Sequence, residues 1–88
     1  MRPIEKMTYS DVEEWALANG FSKDPGDSRV KAPYRDAFVA IEPLERGVRF
    51  VMERGDQRRV LVSTYPSRLH IDEKGMLHGA GLFSWFYT

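Results

Sequence analysis

The stretch Val48-Arg49-Phe50-Val51-Met52-Glu53-Arg54-Gly55-Asp56-Gln57-Arg58-Arg59-Val60-Leu61-Val62-Ser63-Thr64-Tyr65 decides the fold. On both sides of Gly55-Asp56, apolar residues alternate with charged or polar ones at period two. That is the pattern of two half-buried strands joined by a tight turn, so the spacing predicts a β-hairpin. Two registers satisfy it. With Gly55-Asp56 as a two-residue type II′ loop, Phe50 faces Leu61 and Glu53 faces Arg58, a favourable cross-strand charge pair. With Gln57 added to the loop, the pairing moves by one. Val48, Phe50 and Met52 then share a face with Val60, Val62 and Thr64, which separates apolar from polar side chains more cleanly. Either register is expected to leave several arginines on one exposed face.

Downstream, Leu69-His70-Ile71 and Met76-Leu77-His78 flank Asp72-Glu73-Lys74-Gly75, with Gly75 suited to the left-handed position after a type I turn. A second hairpin is expected. If its loop is Glu73, Lys74 and Gly75, then Asp72 pairs with Met76, Ile71 with Leu77 and His70 with His78. The sequence closes on Leu82-Phe83-Ser84-Trp85-Phe86-Tyr87-Thr88, where aromatic residues follow one another and neither face of a strand would be polar. Such a segment calls for cover on both sides, or on one side from another protomer.

Upstream, Phe38-Val39-Ala40-Ile41 is short, apolar and partly β-branched, and Pro43 closes it. It reads as a strand, with a helix over 36–41 as the alternative. Residues 22–35 contain Pro25, Pro33 and a Pro25-Gly26 pair suited to a type II turn, and they read as a loop. A short helical turn or edge strand near Val30 would relieve its unusual length. Between Thr8 and Gly20 lies an amphipathic helix. Thr8 can cap it with Asp11 as the acidic partner of a capping box, Met7 can staple onto Val12, and Gly20 can take the left-handed stop. Val12, Trp15 and Ala16 fall on one face, and Asp11, Glu13 and Glu14 on the other, where acidic residues suit a helix start.

Together these segments predict an α+β fold: one N-terminal amphipathic helix packed on a four- to five-stranded, mainly antiparallel meander sheet. One compact domain over 1–88 is expected, with the helix at 8–20, the loop at 22–35 and the strand-rich part at 37–88. Val12, Trp15 and Ala16 are the helix residues expected in the core.

Composition narrows the function classes. The chain has no cysteine, which rules out disulfides, a thiol nucleophile and cysteine-based zinc or iron-sulfur sites. Lys plus Arg and Asp plus Glu number 13 each, and this neutrality is unlike a protein built for bulk phosphate neutralisation. The charge is uneven, however. Residues 1–45 are predominantly acidic and residues 46–88 predominantly basic, as expected if the two halves pack on each other or if one face meets an acidic partner. Neither a secretion signal nor an apolar run long enough to span a membrane is visible, so a cytoplasmic location is expected.

Catalytic constellations are not visible. Ser63, Thr64, Ser67 and Ser84 lack a nucleophile elbow, and Glu13 and Glu14 diverge on the helix. Gly79-Ala80-Gly81 precedes no helix of the kind a phosphate loop needs. The leading expectation is therefore a non-enzymatic protein-binding or adaptor module acting as a homodimer, without a cofactor. Its candidate contact residues are Arg49, Arg54, Arg58, Arg59 and Arg68 in the basic cluster, with Trp85 and Tyr87 in the terminal aromatic run. The acidic helix face is a complement to that cluster across a dimer. Nucleic-acid binding is the alternative, since arginines interleaved with Phe50 and Tyr65 resemble a sheet that stacks bases and holds phosphates. A further alternative is a small ligand or metal pocket at His70 and His78, with Asp72 as a possible carboxylate ligand. Two histidines paired across strands without a metal are the simpler reading.

Overall fold

The computed structural model describes residues 7–79. Helix α1 spans Tyr9–Ala18 and begins as the sequence predicts, with Thr8 as N-cap in a reciprocal capping box with Asp11. The Thr8 N–H donates to the Asp11 carboxylate at 2.8 Å. At the other end the Phe21 N–H donates to the Ala16 carbonyl at 3.0 Å, and Gly20 between them is left-handed. The Tyr9 hydroxyl donates to the Ile41 carbonyl at 3.2 Å and ties the helix start to the sheet.

Four strands follow in an antiparallel meander: β1 (Val30–Tyr34), β2 (Ala37–Pro43), β3 (Val48–Arg54) and β4 (Gln57–Thr64), in that spatial order. A separate two-stranded sheet pairs β5 (His70–Ile71) with β6 (Leu77–His78). The fold is α+β as expected, with one helix against a four-stranded antiparallel meander.

The loop expected over 22–35 is corrected in its second half, which is strand β1 paired with β2. Pro33 is tolerated there for a local reason. Lys31 exchanges both backbone hydrogen bonds with Ser22, on the side away from β2, at 2.8 and 2.9 Å. Backbone polarity alternates along a strand, so Pro33 also turns its missing N–H outward, where the sheet has no bond to lose.

The first hairpin realises both registers. Next to the turn, Glu53 opposes Arg58 and Arg54 opposes Gln57, leaving Gly55-Asp56 as the two-residue loop. Gly55 has φ +60 while Asp56 keeps a negative φ, the signature of a type II′ turn. Farther from the turn, Phe50 opposes Val62 and Val48 opposes Thr64, which is the other register. The change falls between Phe50 and Val51 and leaves Leu61 as the extra residue of a β-bulge. Leu61 and Val62 can therefore both turn inward, and both pack with the core.

That core is one cluster. Val30, Val39, Ile41, Val48, Phe50 and Val62 from one sheet face meet Val12, Trp15 and Ala16 from α1, with Phe21, Leu69 and Leu77 closing it. At about 25 cal/mol per Å² of apolar surface, burial of this cluster is the principal stabilising contribution.

Candidate functional site

The sheet face turned away from α1 carries Phe38, Ala40 and Glu42 from β2, Arg49, Val51 and Glu53 from β3, and Arg58 and Val60 from β4. The cross-strand partners Phe38 with Glu53, Ala40 with Val51, Val51 with Val60 and Glu53 with Arg58 define this lattice. Ala40 and Val51 are fully buried although they lie opposite the main core. Charged side chains span the ground above them. The Arg29 guanidinium donates to both Glu42 and Glu53 at 3.1 Å, bridging the carboxylates that flank the Ala40-Val51 pair. Arg49 Nε donates to Glu42 Oε1 at 2.9 Å, and Arg58 donates to the same oxygen. Apolar stems of long basic side chains can cover such a floor while their heads stay paired.

Glu42 is the hub of this network and is only 6% exposed. Burial pushes its carboxyl upward, but hydrogen bonds from Arg58, Arg49 and Arg29 outweigh that and hold it below the ordinary carboxylate range. Around the hub, Arg29, Lys31, Arg49 and Arg58 are matched by Asp24, Asp27, Glu42 and Glu53. The charge asymmetry of the sequence resolves here in part. Asp36 and Glu42 from the acidic half pair with Arg54, Arg49 and Arg58 from the basic half.

The arginines do not share one exposed face, which corrects the expectation from the hairpin pattern. Arg49 and Arg58 lie on the outer face, whereas Arg54 and Arg59 lie on the face that carries Met52. Side chains alternate along a strand, so adjacent Arg58 and Arg59 must separate. Arg54 pairs with Asp36 at 3.0 Å, with both side chains mostly in water, a contact of at most about 1 kcal/mol. Arg68 ends the short 3₁₀ turn Pro66–Arg68 and lines a groove of about 880 Å³ between α1 and the β5–β6 hairpin. Trp85 and Tyr87 lie outside the described residues.

Apolar side chains stand exposed between the charges. Phe38 is 53% exposed and Val60 50%, and both belong to the outer face, with exposed Pro33 beside Phe38 on the edge strand. Neither Arg29, Glu42, Phe38 nor Val60 was singled out by sequence reasoning. A usable signal existed for Glu42, because a carboxylate placed one strand repeat beyond Ala40 falls opposite Arg49 once β2 and β3 pair.

The second hairpin has the predicted register, with His70 opposite His78 and Ile71 opposite Leu77. The two imidazoles stack with centroids 5.2 Å apart and planes 16° apart. Asp72 Oδ2 lies 2.6 Å from His78 Nε2, and Asp72 Oδ1 accepts from the Lys74 and Met76 N–H groups at 2.9 Å. The three side chains meet, yet Asp72 is occupied by the turn and by His78, and the rings lie face to face. Among the described residues no group of three His, Asp or Glu side chains is placed to hold a metal ion. The hairpin docks on the helix through the Trp15 indole N–H, which donates to the Gly75 carbonyl at 2.8 Å.

Hydrogen bonds from the Met76 backbone and from His78 bring the Asp72 carboxyl down from 3.8 to about 2. A depressed folded value means that its contribution to stability is complete above 3.8 and is lost as pH falls toward about 2. Amide signals of the hairpin are therefore expected to lose exchange protection over that acid window, and Asp72→Asn should abolish the transition. An unchanged acid limb in the variant would assign the transition to other carboxylates.

No helix among the described residues is long and apolar enough to cross a membrane. Compared with known protein families, curated proteins and solved structures, the chain matches none.

Proposed function

We propose that this chain is a non-enzymatic protein-binding module of the cytoplasm whose principal partner is a second copy of itself, docked through the outer face of the four-stranded sheet. The observation that carries the reading is the exposure of Phe38 and Val60 within a face whose charges are matched sign for sign. A two-fold contact brings the same patch against itself, so a patch of one sign would repel its copy. A balanced patch does not. Its exposed Phe38 and Val60, set on either side of the arginine-carboxylate network, also suit an interface, where aromatic residues and arginine supply most of the binding energy. Nucleic-acid binding draws less support, because Arg49 and Arg58 already donate to Glu42.

Solution mass measured by light scattering from about 0.1 to 100 μM covers the range in which a dimer of ordinary affinity comes apart. The wild type is expected to dimerise within it. Phe38→Lys with Val60→Lys should raise the dissociation constant roughly 30-fold or more, the loss of an interface hot spot. Both positions are half in water, so the variants should keep the wild-type circular dichroism spectrum. A monomer at every concentration, or a dimer indifferent to these substitutions, would refute the proposal.

A further inference from the structure

The opposite face of the same hairpin tip holds a second feature, which shares only Arg58 with the docking face. Cross-strand partners Met52 with Arg59 and Arg54 with Gln57 form a two-by-two block beside the Gly55-Asp56 turn. Arg58 reaches the same place from the neighbouring face, and these five side chains line a cavity of about 540 Å³. No acidic residue among those described lines it. Arg59 makes no ion pair among the described residues, whereas Arg54 and Arg58 are held in place by Asp36 and by Glu42 with Glu53.

A guanidinium presents five N–H donors in a planar fork, so an arginine anchored by one carboxylate keeps donors to spare. Arg54 and Arg59 stand diagonally across the strand pair, typically about 7–8 Å apart and somewhat closer between Cβ atoms. Two forks at that separation can close on one tetrahedral oxyanion, and the Gln57 side-chain amide adds a neutral donor. The volume exceeds that of a bare phosphate, and Met52 offers an adaptable apolar wall for the remainder of an organic ligand.

We infer that this cavity binds the phosphate group of a small phosphomonoester, with Arg54 and Arg59 as its principal ligands. A monoester is favoured over a nucleic-acid backbone because its second negative charge near neutral pH matches converging guanidiniums better than the single charge of a diester.

The test uses phenyl phosphate and inorganic phosphate titrated at low salt into uniformly ¹⁵N-labelled protein. Saturable shifts are expected at the backbone amides of residues 52–59 and at the Gln57 side-chain amide, with phenyl phosphate the tighter of the two. Arg59→Gln and Arg54→Gln should each weaken binding about tenfold, the loss of one charge-assisted pair. Arg46→Gln, at the opposite end of the sheet, should leave it unchanged. Arg59→Lys should bind with intermediate strength because it keeps the charge and loses the fork. Absence of saturation up to about 10 mM, roughly ten-thousandfold weaker than micromolar binding, would overturn the inference. So would equal binding by the Gln variants and the wild type, or saturable binding of a single-stranded oligonucleotide where phenyl phosphate fails.

Discussion

Replacing Glu42 by alanine is expected to cost about 3 kcal/mol of folding stability, at the lower end of what breaking a buried ion pair from one side costs. The residue is nearly inaccessible and accepts from three guanidiniums, so its removal leaves Arg29, Arg49 and Arg58 with only the single carboxylate of Glu53 and the more distant Asp27 among them. The lower end applies because Arg49 and Arg58 keep 35% and 42% of their side chains exposed and can recover water. For a chain of this size the loss corresponds to a fall in melting temperature of roughly 12–24 °C. Arg29 and Arg58 keep Glu53, so Arg49 is the cation left without a carboxylate, and Glu42→Leu combined with Arg49→Met should recover part of the cost, whereas Glu42→Leu alone should not. Acid titration supplies a second readout. The Glu42 carboxyl is held below its ordinary value, so its contribution is complete above the unfolded carboxylate range and disappears as pH falls through the lowered folded value. Urea unfolding of Glu42→Gln should show a flatter acid limb than the wild type. A Glu42→Ala midpoint equivalent to less than about 1 kcal/mol of destabilisation would mean that the network contributes no more than an exposed pair.

What the sequence made legible is what local chemistry determines. The capping box of Thr8 and Asp11, the stop at Gly20 and the loop of the second hairpin each depend on residues within a few positions of one another. Strand β1 was less legible, since Pro33 and the Pro25-Gly26 pair argue for a loop until the sheet edge that tolerates proline is known. The register of the first hairpin could not be chosen because the chain uses both alternatives. The charge pair of Glu53 with Arg58 holds near the turn, the apolar pairing of Phe50 with Val62 holds farther away, and a bulge at Leu61 reconciles them. A choice between two uniform registers had no correct answer.

The outer face was hidden for a different reason. Arg29, Glu42 and Glu53 come from three separate segments, and only the assembled meander brings them within hydrogen-bond distance. The sequence shows a basic cluster, but not which acids from the other half will neutralise it. That pairing changes the chemical meaning of the cluster. A set of arginines that looks suited to phosphate becomes, on the outer face, part of a balanced lattice, while Arg54 and Arg59 on the reverse face remain available to an anion. Strand alternation thus divides one run of basic residues between two faces with different chemistry.

Phe50 and Val51 are adjacent, and both are fully buried in the central strand, yet truncating them should have unequal effects. Phe50 points into the cluster with Ile41 and Val62 as cross-strand neighbours and Val12, Trp15 and Ala16 beyond, where α1 blocks collapse of the space it leaves. Phe50→Ala is therefore expected to cost about 3–5 kcal/mol. Total stability for a domain of this length is roughly 4–13 kcal/mol, so at the lower end of that range the variant is marginal or unfolded at 25 °C. Val51 lies beneath the network that Arg29 and Arg58 make with Glu42, and these two arginines are partly solvated and can settle into a vacated volume. Val51→Ala should cost nearer 1.5 kcal/mol, about the transfer free energy of two methylene groups with little cavity penalty. Phe50→Leu provides a variant that folds if alanine does not, and it should still lose more than Val51→Ala because the aromatic volume next to the bulge has no other occupant. Equal losses for Phe50→Leu and Val51→Ala in urea unfolding would mean that the charged cover is as rigid as the helix, and the outer face would then count as a second core.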